Sequence, residues 1–195
     1  VGASYEYSVD GGTTWTTGAG ASFTLVEGIY AAGEVHVRQI DAAGNTGAET
    51  SNAGPIEIDN TAPGALAIAL AVDNGASGTD DISTVGTVNV TGLEAGASYE
   101  YSIDGGTTWI LGTGSSFTLA ENTYATGDVQ VRQTDAAGNV GGITSNAGPI
   151  VIDNTGPAAP TFELDTDDGA SNADDISTDG TVNVAGLEVG ASYEY

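Results

Sequence analysis

Two loops carry the densest chemistry in the chain. Asp73-Asn74-Gly75-Ala76-Ser77-Gly78-Thr79-Asp80-Asp81 leads into Ile82-Ser83-Thr84. The later loop reads Asp167-Asp168-Gly169-Ala170-Ser171-Asn172-Ala173-Asp174-Asp175 and leads into Ile176-Ser177-Thr178, with Asp165 just ahead of it. Carboxylates crowded into a short loop repel one another unless a cation joins them. Asp, Asn, Ser and backbone carbonyls are hard oxygen ligands, and Ca²⁺ takes six to eight of them. The spacing is not that of an EF-hand, because no Glu stands at the twelfth position. It is not the Gly-rich nonapeptide of a calcium β-helix either. Two readings stand: calcium sites, or acidic loops solvated in a salty medium.

The composition narrows the chemistry further. Of 195 residues, 27 are Asp or Glu and two are Arg, with no Lys, for a formal charge of −25. Such a surface repels nucleic acid, whose binding needs Lys and Arg to displace counterions. It also repels anionic membranes, and no apolar run is long enough to span a bilayer. The absence of Cys excludes disulfides, thiolate catalysis and Cys-type zinc sites. One histidine cannot build a His-rich metal site. Apolar residues make up 39% of the chain, enough for a packed core rather than a disordered acidic tail.

The elements that must hold these loops recur. VGASYEY at 1–7 returns as AGASYEY at 95–101 and VGASYEY at 189–195, a period of 94 residues. Residues 1–60 match 95–154 at 43 of 60 positions. Such a period suits one independently folding β-sandwich better than a solenoid repeat of about 20–50 residues. IEIDNTAP at 56–63 and IVIDNTGP at 150–157 read as a strand, an Asp-Asn-Thr joint and a Pro that stiffens it. Domain starts are therefore expected near Thr61 and Thr155. Residues 61–154 then form one complete unit, 1–60 the later part of a preceding one and 155–195 the opening of a following one. The chain begins in mid-pattern, and its two end segments are complementary.

Within 61–154 the strands read by alternation. Leu66, Ile68 and Leu70 alternate with Ala, and Val88 and Val90 with Thr87 and Asn89. Tyr99, Tyr101 and Ile103 follow, then Phe117 and Leu119, Val129 and Val131, and Ile150 and Ile152. Asp104-Gly105-Gly106 predicts a tight hairpin. Nothing reads as a helix longer than a turn. Some seven strands in about 94 residues predict an all-β fold of tandem immunoglobulin-like, fibronectin-type sandwiches. Tyr124 is either a tyrosine corner or ordinary core.

That topology places the acids at the joints. The loop after the first strand lies at the end where the chain leaves a unit, so Asp73, Asp80 and Asp81 should approach Asp153 in the exit linker. Asp167, Asp174 and Asp175 repeat that loop, and Glu188 belongs to the entry end of the following unit. At the preceding joint Asp59 should approach Glu94 and the loop from Asp135 to Asn139. Asp41 and Asp135 also have a plainer reading, because Asp-Ala-Ala-Gly-Asn is good turn chemistry by itself. Glu6, Glu34, Glu100 and Asp128 read as solvated strand acids.

Two runs of residues resemble a known group. One is Asp73-x-Gly75-x-Ser77-x-x-Asp80-x-Ile82, with Gly92-Leu93-x-x-Gly96-Ala97-x-Tyr99-x-Tyr101-Ser102-x-Asp104-Gly105-Gly106-x-x-Trp109. The other is Val129-x-Val131-Arg132-Gln133-x-Asp135-x-Ala137-Gly138-Asn139. Together they resemble the immunoglobulin-like extender repeats of giant RTX adhesins and related biofilm-associated proteins of Gram-negative bacteria. The resemblance covers the whole chain. It implies a stalk secreted by the type I route to the bacterial cell surface, rigidified by Ca²⁺ at its joints. Neighbouring repeats of the same chain would be its partners, and the tip ligand would bind elsewhere in the parent protein. Asn74 becoming Asp168 departs from an identical repeat and would alter affinity.

Other readings compete less well. Ser8-Val9-Asp10-Gly11-Gly12-Thr13-Thr14-Trp15, repeated from Ser102 to Trp109, is similar to the Asp-box of sialidases and other propellers. There the motif is a structural hairpin. Sialidases need clustered arginines, whereas Arg38 and Arg132 lie one period apart. No feature stands alone as a catalytic site would, so the chain is not expected to be an enzyme. His36, replaced by Gln130 one period later, reads as a strand-surface residue. Trp15 and Trp109 allow an alternative, a carbohydrate-binding β-sandwich module, although hairpin packing accounts for them too.

Overall fold

A computed structural model describes residues 4–171, 174–190 and 193–194. Short apolar–polar alternations broken by Gly-rich turns favour strands. The described residues contain eighteen strands and no helix. β1 (Ser4–Ser8), β2 (Thr16–Thr17), β3 (Gly28–Tyr30), β4 (His36–Ile40), β5 (Thr50–Ser51) and β6 (Ile56–Ile58) build a sheet ordered β2-β1-β4-β5 and a pair β3-β6. Next come β7 (Ala67–Leu70), β8 (Ile82–Ser83), β9 (Thr87–Thr91), β10 (Ser98–Ser102), β11 (Ile110–Leu111) and β12 (Ser116–Thr118). β13 (Asn122–Tyr124), β14 (Gln130–Thr134), β15 (Thr144–Ser145) and β16 (Ile150–Ile152) follow. These ten strands form three sheets, ordered β12-β9-β7, β13-β16-β8 and β11-β10-β14-β15. β17 (Thr161–Leu164) and β18 (Val182–Ala185) form a final pair.

All pairings are antiparallel except that of β8 with β16, which sets Ile82 beside Val151 and Ser83 beside Ile152. The period is kept in the register. Tyr5 opposes Gln39 and Tyr99 opposes Gln133, so β1-β4 repeats as β10-β14.

One core lies among the three middle sheets, from Leu66 to Ile152. The inward positions of the alternating strands fill it: Val88 and Val90 from β9, Tyr99 from β10, Val131 from β14 and Ile150 and Ile152 from β16. Thr144 on β15 donates to the Leu66 carbonyl at 2.6 Å and ties two sheets edge to edge. Beyond Ile152 no described residue is buried. Ile103 departs from the expected alternation. β10 ends at Ser102, where the Asp104 turn begins, and Ile103 is exposed.

Two tyrosines in each copy are placed by backbone contacts. The Tyr99 ring lies flat on Gly112, where any side chain would collide with it, and its hydroxyl donates to the Ser116 carbonyl at 2.9 Å. Tyr5 repeats this on Gly18 and Ser22. Tyr124 is a core residue with a second tie to the backbone. It is buried in the core, and its hydroxyl donates to the Ala120 carbonyl four residues upstream at 3.1 Å, as Tyr30 does to Val26.

Candidate functional site

The acidic loop after β7 is folded by its own backbone. The Gly75 amide donates to the Ile82 carbonyl at 2.9 Å, an approach so close that a side chain at Gly75 would strike that carbonyl. Asp81 is held left-handed at φ 57°, and its amide donates to Asp73 Oδ2 at 3.2 Å. Asp80 Oδ1 accepts from the Ile82 amide. Asn74 Oδ1 accepts from the Ser83 hydroxyl and the Thr84 amide. The later loop repeats the close approach of its glycine, Gly169, to the Ile176 carbonyl, and the side-chain bonds. Asp175 has φ 58°, its amide donates to Asp167 Oδ2, and Asp174 accepts from Ile176. Asp168 takes the place of Asn74 and accepts from Ser177 and Thr178. Hydrogen bonds from the Thr178 backbone and hydroxyl, then Ser177, hold its carboxyl below the usual range.

One atom in each loop is unexplained by these bonds. Asp73 Oδ1 and Asp167 Oδ1 are buried and have no hydrogen-bond partner. A buried acceptor left unpaired costs about 1–3 kcal/mol, more when charged. Among the described residues no three His, Cys, Asp or Glu side chains gather as a metal-holding group. A hard cation at Asp73 would therefore draw on at most two carboxylates and on neutral oxygens of Asn, Ser, Thr and the backbone, which suits calcium chemistry more than that of a softer metal.

The segments expected to be joints are tied by hydrogen bonds to their surroundings. At the exit end the Asp81 carbonyl accepts from the Val151 amide at 2.9 Å, and the Ser83 carbonyl from the Asp153 amide at 3.0 Å. The end of the acidic loop thus runs beside the strand that leads to Asp153, whose own carboxylate accepts from the Thr155 amide. At the preceding joint, Asp59 accepts from the Thr61 amide through its side chain and from Asn139 Nδ2 through its carbonyl, at 2.9 and 3.1 Å. Glu94 accepts from the Gly64 amide at 3.0 Å. Buried Gln133 donates to the Gly64 carbonyl at 2.7 Å and accepts from the Glu94 amide at 3.0 Å.

Asp135 spends its carboxylate on its own turn. One oxygen accepts from the amides of Ala137, Gly138 and Asn139, and the other from Asn139 Nδ2. Burial pushes its pKa up, but these bonds outweigh it and the net shift is downward. Asp41 does the same, held low chiefly by the Asn45 side chain. Glu188 is exposed.

Two acids beside Thr61 and Thr155 escape a reading of the sequence. Glu27 accepts from the Thr61 hydroxyl at 2.6 Å, and Glu121 from the Thr155 hydroxyl at 2.8 and 2.9 Å. Their one signal is recurrence at the period of the repeat, each ahead of a strand.

The remaining polar side chains have structural partners, although His36 Nδ1 is buried without a hydrogen bond, 3.7 Å from Glu49. Arg38 and Arg132 donate through Nε and Nη2 to Glu6 and Glu100, each closest approach being 2.8 Å. Their guanidinium groups lie over the rings of Trp15 and Trp109, at 3.8 and 4.1 Å from the centroids. Glu34 and Asp128 are not simply solvated strand acids, since they accept from the Ala31 and Ala125 amides. His36 is half-buried rather than on the strand surface. It sits edge-on to Trp15 with Nε2 at 2.7 Å from the Gly33 carbonyl. The Asp-box closes as a hairpin. The Asp104 carboxylate accepts from the Thr108 hydroxyl and amide and from the Ser102 hydroxyl, and these bonds lower its pKa to about 2, as their counterparts do at Asp10.

No protein-family profile matches the chain, and no curated protein matches it.

Proposed function

We propose that the chain is a run of tandem immunoglobulin-like sandwiches that serves as a spacer, the stalk of a secreted adhesin at a bacterial cell surface. The units are residues 1–60, 61–154 and 155–195, meeting near Thr61 and Thr155. The observation that carries the reading is the linker at 59–64. Glu27 holds it from before, and Glu94, Gln133 and Asn139 hold it from after. A linker tied from both sides transmits orientation from one unit to the next, which is what a strut requires. A carbohydrate-binding module has less support, because the Arg guanidinium already covers the Trp face that a sugar would stack on.

Calcium would stiffen this strut. Asp73 and Asp167 would hold it through the buried oxygens that lack a partner, and it would supply charge neutralisation where acids crowd. Extracellular calcium modules bind at about 10⁻⁴–10⁻³ M, so such sites fill outside a cell and stay empty in a cytosol. At a hundredfold excess over Kd an occupied site adds about 2.7 kcal/mol to stability. The test is Asp73→Asn with Asp167→Asn, followed by calcium titration calorimetry and by melting with calcium and with EDTA. The reading expects binding weakened at least tenfold, loss of the calcium-dependent rise in Tm, and no fall in Tm in EDTA. Unchanged calcium affinity would remove these loops from the account.

A further inference from the structure

Asparagine is among the chemically labile residues. Its weak point is a reaction with its own backbone: the amide nitrogen of the next residue attacks the side-chain carbonyl carbon, and ammonia leaves. A following glycine favours this most, because no side chain shields the attacking amide. The chain has eleven asparagines, and only Asn74 precedes a glycine. Asn74 is exposed in the acidic loop between β7 and β8, so water reaches it.

The loop treats the two reacting groups differently. Asn74 Oδ1 accepts from the Thr84 amide at 2.9 Å and from the Ser83 and Thr84 hydroxyls at 3.0 and 3.3 Å. Donors on that oxygen polarise the carbonyl and stabilise the oxyanion that forms when its carbon is attacked. The attacking group is withheld. The Gly75 amide donates to the Ile82 carbonyl at 2.9 Å, which holds its proton and fixes its direction. Breaking that one bond frees the nucleophile.

The next copy shows how the product would sit. Asp168 stands one period after Asn74. Its Oδ1 accepts from the Thr178 amide at 2.8 Å and the Ser177 hydroxyl at 3.0 Å, as Asn74 Oδ1 does from Thr84 and Ser83. Only the last bond changes sense. Asn74 Nδ2 donates to the Thr84 hydroxyl at 2.9 Å, whereas Asp168 Oδ2 accepts from the Thr178 hydroxyl at 2.7 Å. A hydroxyl rotates to serve either role. The backbone keeps its course, with Asp81 and Asp175 at φ 57° and 58°.

We propose that Asn74 is a spontaneous deamidation site, masked while the Gly75 amide stays on the Ile82 carbonyl, and that its aspartate product is seated by the bonds that already hold Asp168. Hydroxide takes the Gly75 amide proton, and the nitrogen forms a bond to Asn74 Cγ. The Cγ–Nδ2 bond breaks, and the amine leaves as ammonia with a proton from water. Water then opens the resulting succinimide ring. Cleavage of the bond from Cγ to the Gly75 nitrogen gives aspartate. Cleavage at the backbone carbonyl gives isoaspartate, whose main chain is longer by one carbon and does not reproduce the Asp168 arrangement. Each event adds a negative charge next to Asp73, so the charge of the loop records the time it has spent open.

Peptide mass mapping after incubation at mildly alkaline pH, in buffer and in concentrated urea, tests the mask. In urea Asn74 should be the first of the eleven asparagines to gain the amide-to-acid mass. In buffer the same change should be about tenfold slower or more, because the reaction follows the population of the open loop. Asn74→Asp tests the seat. It should melt with the unsubstituted chain, whereas Asn74→Ala, which leaves the Thr84 amide without its acceptor, should melt lower. Any of three results overturns the proposal: equal rates at Asn74 in buffer and in urea, another asparagine modified ahead of it in urea, or Asn74→Asp melting as low as Asn74→Ala.

Discussion

Gly75 shows how a single missing side chain shapes the acidic loop. Its amide reaches the Ile82 carbonyl at 2.9 Å, and a methyl group there would press on that same carbonyl. Gly75→Ala is expected to cost about 1–3 kcal/mol, the usual penalty for forcing a packed site apart. Urea unfolding measures it, and an unchanged midpoint would mean the loop opens freely. Asp104 makes a second residue-level prediction. Its folded pKa of about 2 lies below the unfolded value of about 3.9. Its ionised form therefore stabilises the hairpin fully above pH 4, and that support is lost as pH falls toward 2. Fluorescence of the nearby Trp109, followed through acid titration, should move to lower pH sensitivity in Asp104→Asn. An identical acid profile would contradict the assignment. The Ser-x-Asp-x-Gly-x-Thr-Trp spacing made this hairpin legible in advance. The bond from Thr155 to Glu121 was not legible, because a lone Glu before a strand looks like any solvated acid.

Among the elements, those that alternate over five residues are plain in the sequence, as β9 and β14 are. Two-residue strands are not. β8 is recognised only through its parallel pairing with β16, a long-range contact that no local pattern encodes. The expected seven strands accordingly became ten. Pairing between β10 and β14 is reinforced by Arg132, which joins Glu100 and covers Trp109. Both charged partners remain partly exposed, at 30% and 34%. Exposed pairs contribute about 0.2–1 kcal/mol, and stacking on an exposed ring about 0.5–1. Arg132→Lys keeps the charge but loses the planar fork and the stacking. It should lower stability by about 1 kcal/mol, with only a minor dependence on salt. A strongly salt-dependent loss would instead assign the effect to the ion pair.

At the scale of the whole molecule, charge and repetition act together. A formal charge of −25 on 195 residues disfavours compaction, so a chain of such units tends to extend when its joints are held. In the proposed arrangement the direct hydrogen bonds at 59–64 would hold the joint, and calcium at the acidic loops would lower the repulsion across it. The central claim is a stiff joint that calcium makes stiffer. Small-angle scattering of chains with two, four and six 94-residue units, in millimolar Ca²⁺ and in excess EDTA, tests it most directly. Strands of about 17–20 Å with their loops give a unit on the order of 40 Å long. With calcium, the longest dimension should rise by about that amount for every unit added, and EDTA should shorten the longer chains. Dimensions that are the same in both media, or that grow with the square root of unit number as a flexible linker would allow, would contradict the account.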